Sequence, residues 1–477
     1  MTDVKALRRA IVEALPGQTS NFGETPDLKH LYVPQAHIKA LRPECHLVIG
    51  MRGVGKSVWA AVLGNTELRK KILGSSIPEL DHAEVGIGFA ETPCIDSYPD
   101  SATFKKLLDS GHSAYSVWQS VVARWQLGDQ VPRSGWPETV DWIEANPETL
   151  ARSMQNASER FGIRKLTGLI VFDALDHLSQ DWQGFNWTIM DKIVRDLLKA
   201  ALWLRAYPRL SAKVFLREDQ LKYEDILRKD VTTFPDASKL LATYSALTWA
   251  PNDLHGFLWQ YLLNAQGIHG ECLREIFLRG TESNPIESDG VWHPGKGFMR
   301  ETWIQRDVFK LIAGDRMGKD QRRGVPYEWL KGHLADSKGR TTPRSFLAAI
   351  RQAAEDSNER YPDHPLALHY ESIKRSIQKA SEIRISEIAE DYPWIYNCME
   401  PLAGLNLPFD FKEICDLLKK NHDSVVASRL PPRDHHPLLE LTMIGIFEAK
   451  KDDRYDMPDL YRVGFGLGRK GGVKPKS

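Results

Sequence analysis

Eight consecutive residues, Gly50-Met51-Arg52-Gly53-Val54-Gly55-Lys56-Ser57, have the types and spacing to wrap a phosphate. Glycines let backbone N–H groups converge on an anion without Cβ clashes. In this spacing Gly50, Gly53, Val54, Gly55 and Val58 supply the cradle and Lys56 reaches the β- and γ-oxygens. Ser57 would ligate Mg2+, and a helix running on from Val58 would point its positive end at the anion. A second element is expected to bring an acid to that metal. The run Leu169 to Phe172 is uninterruptedly apolar, as in a parallel strand buried on both faces, and it ends at Asp173. That carboxylate suits the magnesium-holding role, with Ser57 as the other metal ligand, although a helix-capping role is the bland alternative. Asp176 follows three residues later, where it could activate the attacking water or cap the next turn.

Two further arginines sit at element ends. "SAKVFLREDQL" reads as a short strand, Lys213 to Leu216, that delivers Arg217 to a strand tip. There an arginine can stabilise charge developing on a phosphoryl group, or it can pair with Glu218 or Asp219 on the surface. "RTTPRSFLAAI" starts a helix after Pro343, with Arg344 in its first turn.

The elements that must position these groups follow from hydrophobic pattern. "HLVI" before the loop is strand-like, "SVWAAVL" after it is helix-like, and strand–helix alternation runs from about 45 to 250. "SALTW", Ser245 to Trp249, reads as a closing strand. This predicts an α/β domain with a mostly parallel sheet flanked by helices. The stretch from about 92 to 150 is extra length, read as helices carried on the sheet edge. "NDLHGFLWQYLL" then opens a helix with Asn252 or Asp253 as N-cap. Residues 270 to 300 include "LRGTESNPIESDGVWHPGKGF", which reads as a loop rich in Gly, Pro and acids, with helical material following to about 357. Near the start, "DVKALRRAIVEAL" places Val4, Leu7, Ile11 and Leu15 on one helical face, with Lys5, Arg8 and Arg9 opposite. It is either a docking arm or a helix packed on its own chain.

Towards the end, "FDFKEICDLLKK" carries Asp410 and Glu413 in capping-box spacing. "HPLLELTMIGI" follows, and then a charged segment between apolar ends suggests a two-stranded wing. The pattern is similar to a winged helix. From 450 onward eight basic residues (Lys450, Lys451, Arg454, Arg462, Arg469, Lys470, Lys474, Lys476) face four acids. The last four basic residues follow the last acid, and such a tail either lies on phosphates or is simply solvated.

"IVFDALDHL" resembles the Walker B segment of STAND-type, NACHT-like NTPases, an AAA+-related branch of the P-loop proteins. AAA+ machines usually place a glutamate directly after the first Asp; Ala174 stands there in this chain. The resemblance implies that Arg217 is similar to a sensor 1 residue and Arg344 to the sensor 2 arginine of a helical lid. It implies the order 1–28 N-terminal helix and linker, 29–250 P-loop ATPase core, 251–357 α-helical lid and 358–477 winged-helix domain. The function implied is a Mg-dependent ATP switch or slow ATPase. It would couple nucleotide state to a protein partner or to self-assembly, in a bacterial antiviral defence or signalling setting. A second reading is a DNA-binding AAA+ ATPase similar to Orc/Cdc6-type initiators, using the winged helix and the basic tail. A small-molecule kinase is disfavoured, since no acceptor-site motif is evident. No NKxD-type guanine reader is evident either, which favours ATP.

Bulk properties agree. With 477 residues, 42% hydrophobic and 26% charged, the chain should fold into two to four domains with a large core. A formal net charge of zero excludes a whole-molecule electrostatic trap for nucleic acid, so any basic surface is local. Five scattered cysteines without CxxC spacing, no apolar leader and no run long enough for a membrane span fit a cytoplasmic protein.

Overall fold

The computed structural model describes residues 3–17, 25–179, 187–218, 220, 237–281, 284–318, 323–419 and 437–469. These fall into two compact units: one comprises residues 33–248 with 20–28, the other residues 1–19, 29–32 and 249–477.

The chain opens with α1 (Val4–Ala14), capped by the Asp3 side chain, which accepts from the Lys5 amide. Leu7, Ala10, Ile11 and Leu15 are buried against helices of the second unit, as their spacing predicts. Arg8 departs from expectation, being 1% exposed instead of lying on the polar face. Its guanidinium donates to four carbonyls of one loop: Pro362 at 3.1 Å, His364 at 3.1 Å, Leu366 at 2.9 Å and Ala367 at 3.0 Å. A loop with that many inward carbonyls needs a multi-donor group, and guanidinium supplies one.

The first unit is built on a parallel sheet of β1 (Leu47–Gly50), β2 (Ala83–Phe89), β3 (Thr167–Phe172), β4 (Leu210–Arg217) and β5 (Ser245–Ala246), in the order β2-β3-β4-β1-β5. The fold is α/β, a parallel sheet flanked by helices. β4 is buried at every residue, including Lys213, which the sheet accommodates because three carbonyls meet its ammonium. Lys213 Nζ donates to Ala40 at 2.7 Å, Arg42 at 2.9 Å and Cys45 at 2.5 Å, so the central strand pins the approach to β1.

Helix α2 (Lys56–Gly64) follows the phosphate loop. Between β2 and β3 lie, among others, α3 (Ala114–Leu127) and α4 (Pro147–Ile163). α3 packs on β2, an edge strand of the sheet. Val117, Trp118 and Val121 of α3 are fully buried, and Trp118 meets Phe172 edge-on at 5.6 Å between ring centres. Trp118 Nε1 also donates to the Ile193 carbonyl of α5 (Trp187–Leu204) at 3.2 Å. The extra length is therefore core of this unit.

In the second unit, α6 (Pro251–Leu263) begins at Pro251 with Ala250 as N-cap, so neither Asn252 nor Asp253 caps it. Proline suits the first helical position because its missing N–H would have no partner there. Asp253 is buried instead and accepts from the Tyr32 hydroxyl at 3.0 Å. Where a loop was expected, α7 (Gly267–Gly280) is followed by a hairpin of β6 (Ile286–Ser288) and β7 (Val291–His293). Asp289 and Gly290 turn it with φ of 52° and 74°. Helices α8 (Pro343–Arg360) and α9 (Tyr370–Asp391) pack together. An antiparallel sheet then follows: β8 (Phe409–Asp410), β9 (Glu448–Ala449) and β10 (Arg454–Asp456), in the order β8-β10-β9. α10 (Phe411–Lys419) and α11 (Pro437–Met443) lie in sequence between β8 and β9. Among the described residues no helix is long and apolar enough to cross a membrane.

Candidate nucleotide-binding site

The site is assembled at the C-terminal ends of parallel strands, where open α/β sheets bind ligands. β1 ends at Gly50, which pairs in register with Arg217 at the tip of β4. A Cβ at Gly50 would come 2.7 Å from Val54 Cγ2, so the turn closes on itself only because this residue is glycine. Val54 is 2% exposed and anchors the loop from below. Gly53 and Gly55 have φ of 80° and 101°, the left-handed region that glycine enters without steric cost.

α2 begins at Lys56, two residues earlier than expected, with Gly55 as its cap. Its first amides thus lie within the loop itself. Val58 contributes its position at the helix start, while its side chain is 40% exposed. Lys56 Nζ arches back over the loop to the carbonyls of Gly50 and Met51, both at 3.1 Å.

β3 delivers Asp173, 5% exposed, with its amide donating to the Phe89 carbonyl at 3.0 Å. Burial pushes this carboxyl's pKa up. The Ser57 hydroxyl hydrogen bond, the Lys56 charge and the Ala174 amide pull the other way. A divalent cation beside such a group stabilises its charged form, so the Ser57–Asp173 pair fits Mg2+. The next residue, Ala174, has φ of 56°, a conformation that turns the chain sharply off the strand. For a non-glycine residue the left-handed region costs about 1–2 kcal/mol.

Asp176 lies in the short turn Leu175–Ser179 and faces Arg217 Nη1 at 3.4 Å. Water activation and turn capping were the roles expected of Asp176. The structure gives it a partner that neither anticipated, the strand-tip arginine. Arg217 is 8% exposed, and its amide donates to Gln220 Oε1 at 2.9 Å. Of the surface partners expected for Arg217, Asp219 lies outside the described residues.

Lys56, Ser57 and Asp173 thus meet at the C-terminal ends of interior strands, with Arg217 at the tip of β4 paired to Asp176. Arg344 belongs to the other unit. It follows the Thr342 cap of α8, and its Nη1 contacts Glu387 Oε1 at 2.7 Å. Glu387 is 5% exposed and also pairs with Arg384 at 3.3 Å.

Two residues near the site carried no motif. Glu91 follows β2 and His177 follows Asp176, and Glu91 Oε1 is 3.9 Å from His177 Nε2. The only sequence signal was an acid shortly after a strand, "GFAET", which is too common to single out.

In the C-terminal segment most of the described basic side chains counted earlier are paired within it. Lys450 meets Glu448 at 2.9 Å, Arg454 meets Asp452 at 2.5 Å, and buried Arg462 meets Asp459 at 2.7 Å. Arg469 pairs with Asp456 and with Asp459. Lys470, Lys474 and Lys476 lie outside the described residues.

No family model matches the chain, and no curated protein matches it. Solved structures do. The Aeropyrum pernix ORC2 protein, in ADPNP–ADP complexes, is 12% identical over 87% of this chain and 84% of that one, with a TM-score of 0.37. A Walker-type ATPase of Pyrococcus abyssi is 12% identical over 90% and 94%, with a TM-score of 0.32. The Aeropyrum pernix ORC1 protein in complex with DNA is 15% identical over 89% and 86%, with a TM-score of 0.31. Likenesses of this size assign no residue here, so the functional reading rests on the chain's own geometry.

Proposed function

We propose that this protein is a Mg-dependent P-loop ATPase of the AAA+-related kind. The observation that carries the reading is that the phosphate loop and the tip of β3 come together, so that Ser57 and Lys56 both act on the buried Asp173 carboxyl. The amides from Gly53 to Val58 would take phosphate oxygens at the positive end of α2. Lys56 would exchange the Gly50 and Met51 carbonyls for the β- and γ-oxygens. Ser57 and Asp173 would hold the metal, whose chemistry is to neutralise phosphate charge during transfer. Arg217, held by Asp176, would oppose negative charge that grows on the γ-phosphoryl group. The nucleotide is read as ATP, following the sequence resemblance. Segments 251–357 and 358–477 are read as lid and winged helix, with Arg344 as the lid's nucleotide-facing arginine.

Titration calorimetry with ATP, ADP and GTP, with and without Mg2+, tests the reading. Wild type should bind ATP with a Mg-dependent affinity, and Lys56→Ala should weaken it about 100-fold or more. No uptake of any purine triphosphate by wild type overturns the proposal.

Two uses of the cycle follow. The Orc/Cdc6-like reading is favoured by the β8-β10-β9 sheet, with α10 and α11 among the described residues between its first two strands, an order similar to that of a winged helix. The pairing of Lys450, Arg454, Arg462 and Arg469 with acids leaves less charge there for DNA phosphates. The STAND-type reading, a partner-coupled switch in defence or signalling, rests on the sequence resemblance. Light scattering in apo, ADP and ATP-analogue states, with and without DNA, separates them: DNA-dependent assembly favours the first, nucleotide-driven assembly without DNA the second.

A further inference from the structure

Hydrolysis needs a group to take a proton from the attacking water, and the acids around Asp173 are unequally free to do so. Asp173 is engaged by Ser57 and Lys56, and Asp176 by Arg217. Position 174 carries only a methyl group.

The neighbouring strand supplies another carboxylate. A bulge between Ile87 and Phe89 sets Phe89 level with Phe172. It is permitted by Gly88, where a Cβ would sit 2.4 Å from the Phe172 ring. The Asp173 amide then bonds the Phe89 carbonyl, which ties the ends of the two strands together. Glu91 follows two residues after Phe89, and Ala174 turns the other chain off β3 with φ of 56°. His177, one turn on, holds Nε2 3.9 Å from Glu91 Oε1, and both side chains are 31% exposed. That separation is an ion-pair distance and too long for a hydrogen bond, so it leaves carboxylate lone pairs for water.

We propose that Glu91 is the general base of this site, presented from the end of β2 beside His177, which acts as a positioning residue. The inference rests on the ATPase reading above. In the step, the Glu91 carboxylate takes one water proton while the water oxygen forms a bond to the γ-phosphorus. The bond from that phosphorus to the bridging oxygen breaks, and its electron pair stays on ADP. Glu91 then returns the proton to phosphate or solvent.

The test is Glu91→Gln, isosteric and at a part-exposed position, in the full chain. Its turnover should fall about 100-fold or more, in the range of a lost general base, while the ATP dissociation constant stays within about threefold of wild type. Nucleotide extracted from the bound fraction should be intact ATP for the variant and mostly ADP for wild type. His177→Ala should lower turnover by a smaller factor with ATP binding kept. If Glu91→Gln melts well below wild type, Glu91→Asp carries the test, with at least a tenfold loss of turnover and binding kept. Turnover within twofold of wild type, or binding lost in parallel with turnover, overturns the proposal. Wild type that binds ATP without hydrolysing it overturns this inference alone, and wild type that binds none overturns the ATPase reading with it.

Discussion

Arg217 is fixed at both ends: its backbone is paired in register with Gly50, and its guanidinium faces Asp176 at 3.4 Å. A charge-stabilising role predicts that Arg217→Ala slows hydrolysis at least tenfold with ATP affinity little changed. Asp176→Asn should give a milder loss, because it leaves the guanidinium present but less well aimed. Equal losses of binding and turnover in both variants would remove the pair from the reaction. Lys56, Ser57 and Asp173 were legible in the sequence because each is defined locally, by loop spacing or by the end of one apolar run. The Asp176–Arg217 pair was not legible as a pair, and Glu91 was not legible at all. Their neighbours are set by sheet register between distant strands, and no local pattern encodes which strand lies beside which.

At the scale of elements, apolar runs announced β3 and the second half of β4. The expected strand began at Lys213, and the three residues before it were hidden by the polar Ser211, whose hydroxyl the fold satisfies at the Gly168 carbonyl. The β6–β7 hairpin was hidden for a different reason. Its Asp289-Gly290 turn is a strong hairpin signal, but strands of three residues are too short to show alternation. Arg8 was misassigned because helical spacing cannot reveal that a loop some 350 residues away turns its carbonyls inward. Arg8→Ala should raise hydrogen exchange in the 361–369 segment about 100-fold, equivalent to about 3 kcal/mol of lost local stability. Unchanged exchange would mean that those carbonyls find other donors.

For the molecule as a whole, one buried titratable group sets an acid limit on the second unit. His255 of α6 is 1% exposed and stacks on Tyr327 at 4.0 Å. Burial first, and the Lys331 charge second, lower its pKa to about 3. The unfolded chain therefore binds this proton more readily than the folded one. Stability from this group is complete above about pH 6.5 and is lost as the pH falls towards 3, at up to about 1.4 kcal/mol per pH unit. Melting at pH 7 and pH 5 should differ by about 2 kcal/mol more in wild type than in His255→Phe, and identical pH profiles would discard the assignment. The path of the chain has one more consequence. Residues 33–248 form one unit, while α1 belongs to the other and is tied by Arg8 to residues 362–367. During synthesis residues 33–248 can therefore close first, while α1 keeps part of its greasy side bare until Pro343–Arg360, on which it also packs, has left the ribosome. A nascent chain stalled before residue 343 should accordingly attract chaperones at α1.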